Sequence, residues 1–220
     1  MRKKLFFFLF LGCGLFLLFP PSAPKNSLLT VFRVTEEPVA ITRGAFGSVL
    51  TVNISFGDAQ VEEWIQELKK PYPLLFVDTE WASRFPETVR LINEKNIPVG
   101  LLGKNGEAYE QDAALLVTEL EQFKITFGTD PLWFRTLDEV FPTSLHMLLW
   151  EVELNPLGSS FIWKGGAIPS FTEGEIISVP HHRTNRVNFI ELKKLAENRD
   201  FQTIEDVLFG STVKTKKIPK

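Results

Sequence analysis

Apolar residues recur along this chain in two alternating rhythms: short compact runs, and runs spaced three and four residues apart. Val49 to Ser55 is rich in β-branched residues and reads as a buried strand. Val61, Trp64, Ile65 and Leu68 then recur at helical spacing, with Asp58 just ahead of them in the position of an N-cap. Leu74 to Val77 is a second apolar strand. Pro86 opens a helix whose inner face carries Val89 and Ile92 and which ends at Lys95-Asn96. Ile97 to Leu102 reads as a third strand, stopped by Gly103, and Ala113, Leu116, Val117 and Leu120 form an amphipathic helix. Leu148 to Leu154 and Glu175 to Val179 read as further strands. Phe189, Leu192, Leu195 and Ala196 mark a late helix, and 203–208 a short one.

Strands alternating with helices of this length predict an α/β fold built on a parallel sheet or a distorted (β/α) barrel. Such folds place ligands at the carboxyl ends of their strands. The positions to inspect are therefore Asn53 to Asp58, Asp78 to Trp81, Leu102 to Gly106, Phe134-Arg135, Glu153 to Asn155 and His181-His182.

The first residues follow neither rhythm. Arg2, Lys3 and Lys4 precede an apolar run from Leu5 to Phe19, which Pro20 and Pro21 stop. A positive segment followed by an apolar one is an export signal. The run falls short of the ~20 residues usual for a spanning helix, yet Ala23 is followed by Pro24, a poor place to cleave. An uncleaved anchor is favoured over a cleaved signal. The chain then divides into a signal or anchor segment over 1–21, a linker and lead-in strand over 22–46, one domain over 47–210, and a basic tail over 211–220. The expected location is membrane-anchored and extracytoplasmic, or secreted if the segment is cleaved. Cys13 is the single cysteine and lies in the apolar run, so the exported part can form neither a disulfide nor a thiolate site. A formal net charge of -3 gives no electrostatic case for nucleic acid.

In its order of local patterns the region from Val49 to Leu208 resembles the polysaccharide deacetylases, which remove N-acetyl groups from chitooligosaccharides and peptidoglycan. Leu74-Leu-Phe-Val-Asp-Thr-Glu-Trp-Ala-Ser-Arg-Phe-Pro86 is similar to the family's second strand and its Pro-initiated helix. Ile97-Pro-Val-Gly-Leu-Leu102 lies where the family carries its paired histidines, and Phe134-Arg135 matches the start of its Phe-Arg-Pro-Pro-Tyr-Gly motif, although Thr136-Leu-Asp follows here. Leu149-Trp-Glu-Val-Glu153 is similar to a Leu-Trp-Ser-Val-Asp strand, Gly174-Glu-Ile-Ile-Ser-Val-Pro-His181 to the late histidine strand, and Phe201 to Leu208 to the closing helix.

The resemblance implies a divalent metal held by one aspartate and two histidines, with a second aspartate as base. Carried over one by one, the base falls on Asn53, the metal aspartate on Ile54, and the histidines on Leu102 and Gly106. Hydrocarbon and glycine cannot coordinate zinc. The expectation is thus a catalytically degenerate deacetylase-like domain that uses no cofactor and binds a polysaccharide or peptidoglycan. An alternative is an active hydrolase of carbon–nitrogen bonds in amino sugars, with a relocated site of Asp58, Arg135 and His181 and zinc as its metal. A second alternative is a scaffold for a protein partner. Asp58 is either a helix cap or an offset metal ligand. Arg135 either orients a carboxylate or makes a structural pair, with Glu80, Asp138 and Glu153 as partners. His181 competes with Pro180 for the family's late histidine slot, and adjacent strand residues face opposite ways, so one of His181 and His182 at most looks into a pocket. Trp81, Trp133 and Trp163 are the candidates for stacking on a sugar, since they fall in loop-like contexts.

Overall fold

The computed structural model describes residues 33–57 and 59–210. The expected anchor, the basic tail and Asp58 lie outside the described residues. Residues from Thr35 onward belong to one compact unit.

Seven parallel strands form its sheet. In chain order they are β1 (Ser48–Ile54), β2 (Leu74–Val77), β3 (Val99–Leu102), β4 (Trp133–Arg135), β5 (Asn155–Pro156), β6 (Phe161–Ile162) and β7 (Glu175–His181). The spatial order is β5-β4-β3-β2-β1-β7-β6. Every pair is parallel. The central strands β1, β2 and β7 are buried along their whole length, which is why their sequences are so rich in Val, Ile and Leu.

Eight helices are described: α1 (Ala59–Glu67), α2 (Thr79–Arg84), α3 (Pro86–Lys95), α4 (Gly106–Gln111), α5 (Ala114–Phe127), α6 (Thr143–Glu151), α7 (Phe189–Glu197) and α8 (Ile204–Phe209). Their ends follow local chemistry. Pro86 sits in the first turn of α3, and Asn96 closes it at φ 54 with its N–H bonded to Ile92 O. The Asn188 side chain accepts from Ile190 N and Glu191 N to start α7. Among the described residues no helix is long and apolar enough to cross a membrane.

One expected strand is not there. Residues 148–151 complete helix α6, and the strand that follows is only Asn155–Pro156. Leu145 and Leu149, four apart, are the buried residues of that helix, so the short apolar run has helical rather than strand period.

The sheet is curled. In a flat sheet β4 and β1 would stand three strand spacings apart, about 14 Å, well beyond direct hydrogen-bonding reach. Yet the Arg135 side chain on β4 bonds Thr51 and Asn53 on β1 and Ser178 on β7. The strands therefore wrap a common interior, as a distorted (β/α) barrel does. The lead-in residues stitch two strands: Ile41 bridges Leu157 just past the carboxyl end of β5, and Arg43 bridges Glu175 at the start of β7.

Candidate functional site

Arg135 defines which residues face the interior. Side chains alternate along a strand, so its bonds to Thr51, Asn53 and Ser178 place residues 51, 53 and 55 of the first strand segment on the inner face. The same parity places 178, 180 and 182 there. Phe76 lies under the guanidinium, 4.3 Å from ring centre to Cζ, which puts Phe76 and then Asp78 inward too. Leu102 pairs in register with Arg135 and shares that face.

The guanidinium is 0% exposed. Nε donates to Leu157 O (2.8 Å) and Nη2 to Gly158 O (2.8 Å). Nη1 reaches Thr51 Oγ1 (2.6 Å), Asn53 Oδ1 (3.0 Å) and Ser178 Oγ (3.1 Å). Glu139 Oε1 stands 3.9 Å from Nε. Burial pushes the Arg135 pKa down to about 10, so the group stays charged at neutral pH. Arg135 is thus a structural cross-tie of the barrel, and Glu139 is its carboxylate neighbour, not Glu80, Asp138 or Glu153.

Above this layer the carboxyl ends of four strands bring polar groups together. Ser55 Oγ lies 2.8 Å from His182 Nδ1. Asp78, just past β2, caps α2 by accepting from Trp81 N (2.8 Å) and pairs through Oδ2 with Lys104 Nζ (3.1 Å). Glu80 lies 3.7 Å from the same ammonium. Burial, the adjacent His181 and little compensation from Asp78 pull the His182 pKa down to about 4, leaving a neutral imidazole at pH 7.

The relocated site of Asp58, Arg135 and His181 does not assemble among the described residues. Arg135 points into the barrel with its donors committed. His181 points the other way and packs against Phe189 of α7 (5.0 Å) and Phe56 (6.2 Å). The histidine on the inner face is His182, which shares the parity of Ser178, a parity fixed only by the bond from Arg135. Asp78 and Lys104 lay within the inspected strand ends and were not singled out. The three stacking candidates are covered: Trp81, Trp133 and Trp163 are 1%, 5% and 2% exposed. Trp81 stacks on Phe85 and Trp133 lies in β4. A ring buried on both faces cannot receive a sugar.

The metal that the family uses does not fit these residues. Ile54 is on the outer face, since Asn53 is on the inner one. Leu102 offers an alkyl chain. Gly106 opens α4, and a Cβ there would stand 2.3 Å from Val140 O. Among the described residues no group of three or more His, Cys, Asp or Glu could hold a metal ion.

Behind Lys104 lies a buried acid. Tyr109 OH donates to Glu119 Oε2 (2.6 Å) and accepts from Lys104 N (2.8 Å). Burial raises the Glu119 pKa to about 7. Between the ordinary value of 4.5 and 7, the folded state holds a proton that the unfolded state has lost. Stability from this group is therefore present at low pH and is lost as pH rises through 7, by about 3 kcal/mol. Glu119→Gln keeps an oxygen for Tyr109 and abolishes the titration. It should melt at a higher temperature than the parent at pH 8 and close to it at pH 4.5, as read by thermal unfolding at both values; a lower melting point at pH 8 would contradict this.

No protein-family model matches the chain, and no curated protein matches it by sequence. Solved structures do match. A CE4 family pseudoenzyme from Bacillus anthracis aligns at TM-score 0.57 and 15% identity, over 74% of this chain and 66% of its own. PdaA of Bacillus subtilis, a family 4 carbohydrate esterase, aligns at 0.61 and 15% identity, over 86% and 91%. The chitin deacetylase of the fungal pathogen Colletotrichum lindemuthianum aligns at 0.63 and 12%, over 80% and 93%. The chain spans about two thirds of the pseudoenzyme's length. The fold is that of the family 4 carbohydrate esterases, the polysaccharide deacetylase type that the order of sequence patterns resembles.

Proposed function

We propose that this chain is a deacetylase-like domain, degenerate for the family's metal-dependent deacetylation, that binds a polysaccharide at the carboxyl-terminal mouth of its barrel. The observation that carries the reading is the inner face itself. Where a metal and a base would be needed it presents Leu102 and Asn53, and Asn53 is tied to a fully buried Arg135. The solved neighbours include both a pseudoenzyme and a chitin deacetylase, so a pseudoenzyme on this fold has a counterpart. The rim retains groups suited to sugar hydroxyls: the half-exposed Lys104, Asp78, Ser55 and His182. An export signal at the amino end would place the domain outside the cytoplasm, anchored to the membrane, where such polymers lie.

The test is co-sedimentation of the full-length protein with insoluble peptidoglycan and with chitin. The parent should pellet with one of them, and Lys104→Ala should weaken binding about tenfold, the loss of a charge-assisted hydrogen bond. A groove of about 690 Å³ lies at the amino end of the barrel, lined by Tyr72, Phe201 and Lys70 among others. Binding that is lost in Tyr72→Ala but unchanged in Lys104→Ala would move the sugar away from the mouth. No pelleting by the parent would remove the polysaccharide reading.

A further inference from the structure

Ser55 and His182 form a polar pair at the mouth, one residue beyond the ends of the adjacent strands β1 and β7. Ser55 follows β1 directly and is succeeded by a short loop into α1, so its hydroxyl stands at the turn from a central strand into a helix. The residue is half-buried, and so is His182. With the ring proton on Nε2, the Ser55 hydroxyl donates to Nδ1 across 2.8 Å. His182 Nε2 is buried and makes no hydrogen bond. A buried ring nitrogen without a hydrogen-bond partner is costly, and a fold tolerates that cost most readily where a ligand supplies the missing partner.

The surroundings add further unused donors. Trp81 Nε1 is also buried without a partner. It lies hard against Gly57, where an added Cβ would stand 2.0 Å away, so glycine two residues after Ser55 keeps the indole N–H uncovered by any side chain. The backbone N–H groups of Phe56 and Gly57 have no acceptor among the described residues. A hydroxyl bonded to a neutral imidazole supplies the nucleophile and base of acyl transfer, and the uncommitted N–H groups that follow in sequence are the nearest donors available to an oxyanion.

We propose that Ser55 and His182 are a metal-free nucleophilic dyad that hydrolyses short-chain carboxylic esters. Ser55 Oγ bonds to the acyl carbon while its proton passes to His182 Nδ1. The ester C–O bond then breaks, and the departing alkoxide takes that proton and leaves as an alcohol. Water next attacks the acyl-serine, giving its proton to His182, which returns it to Ser55 Oγ as the carboxylic acid departs. Ester plus water becomes acid plus alcohol. Esters rather than amides fit, because an alkoxide leaves with less protonation than an amine and His182 is a weak base.

The experiment is labelling of the full-length protein with a fluorophosphonate, which a nucleophilic serine attacks with loss of fluoride. One phosphonate per chain, mapped to Ser55 by peptide mass spectrometry, is expected. Ser55→Ala should remove the adduct, and His182→Gln should slow its formation at least tenfold; both variants are checked by thermal melting. A burst of nitrophenol from p-nitrophenyl acetate should follow the same order. If either variant fails to fold, labelling of the parent in the presence of excess EDTA decides, since the dyad needs no metal. No adduct, an adduct on another serine, or an adduct that EDTA prevents overturns the proposal. It does not depend on glycan binding: labelling without co-sedimentation would sink only the polysaccharide reading, and co-sedimentation without labelling only the dyad.

Discussion

Replacing Arg135 with alanine should cost about 3–5 kcal/mol and lower the melting temperature by about 10 °C. The mechanism is the loss of a buried hub. Five acceptors converge on this one side chain: the carbonyls of Leu157 and Gly158, and the side chains of Thr51, Asn53 and Ser178. They come from β1, from β7 and from the turn after β5, so the guanidinium joins opposite walls of the barrel. Truncation strips the Leu157 and Gly158 carbonyls and Asn53 Oδ1 of this buried donor and opens a cavity beside Phe76. Arg135→Met separates the two costs, because it refills the space and still strands both carbonyls. It should fall between the parent and alanine. Arg135→Lys should also fall short of the parent, since an ammonium has three donors and cannot fork. Urea unfolding of the three variants measures the series, and an alanine variant within 1 kcal/mol of the parent would show that the barrel does not rely on this tie.

The second large effect concerns an attempt to install metal ligands at the positions that the family resemblance assigns to them. The combined change Ile54→Asp, Leu102→His and Gly106→His should abolish stable folding and should bind no more zinc than the parent. Gly106 is confined by backbone, with Val140 O 2.3 Å and Pro142 Cδ 2.9 Å from where a Cβ would stand. Its N–H is also held by Asp138 Oδ1 (3.0 Å). Overpacking against backbone costs about 1–3 kcal/mol or more. Asp at 54 would put a carboxylate into the apolar outer layer at a cost of several kcal/mol. Asn53→Asp alone behaves oppositely, because the new carboxylate meets Arg135 Nη1 at the place where Oδ1 now sits, 3.0 Å away. That single variant should stay folded. Circular dichroism and bound-zinc analysis of the purified variants distinguish the cases; a folded triple variant holding one zinc per chain would mean that the 102–106 turn can remodel.

The strands at 48–54, 74–77, 99–102 and 175–181 and the helices beginning near 59, 86, 114 and 189 were legible because each carries a strong local signal. These are β-branched runs, a proline at a helix start, or apolar residues four apart. Residues 148–154 read as strand because that window is too short to show its period, which emerges only when Leu145, outside it, is set beside Leu149 as the buried pair of helix α6. The tryptophans misled for a related reason. Loop-like neighbours describe the chain near Trp81 and Trp163, not the core that closes over them.

That these four positions cannot hold zinc follows from residue type: an asparagine, two aliphatic side chains and a glycine stand where the resemblance puts the family's base and metal ligands, and no arrangement of the backbone makes them coordinate a metal. Residue type limits function locally, one position at a time. Which histidine faces the mouth, why Gly106 has no room, and what Arg135 holds were decided only when strands far apart in sequence curled around one interior. Arg135 and Thr51 are 84 residues apart, and no local pattern encodes the register that brings their side chains together.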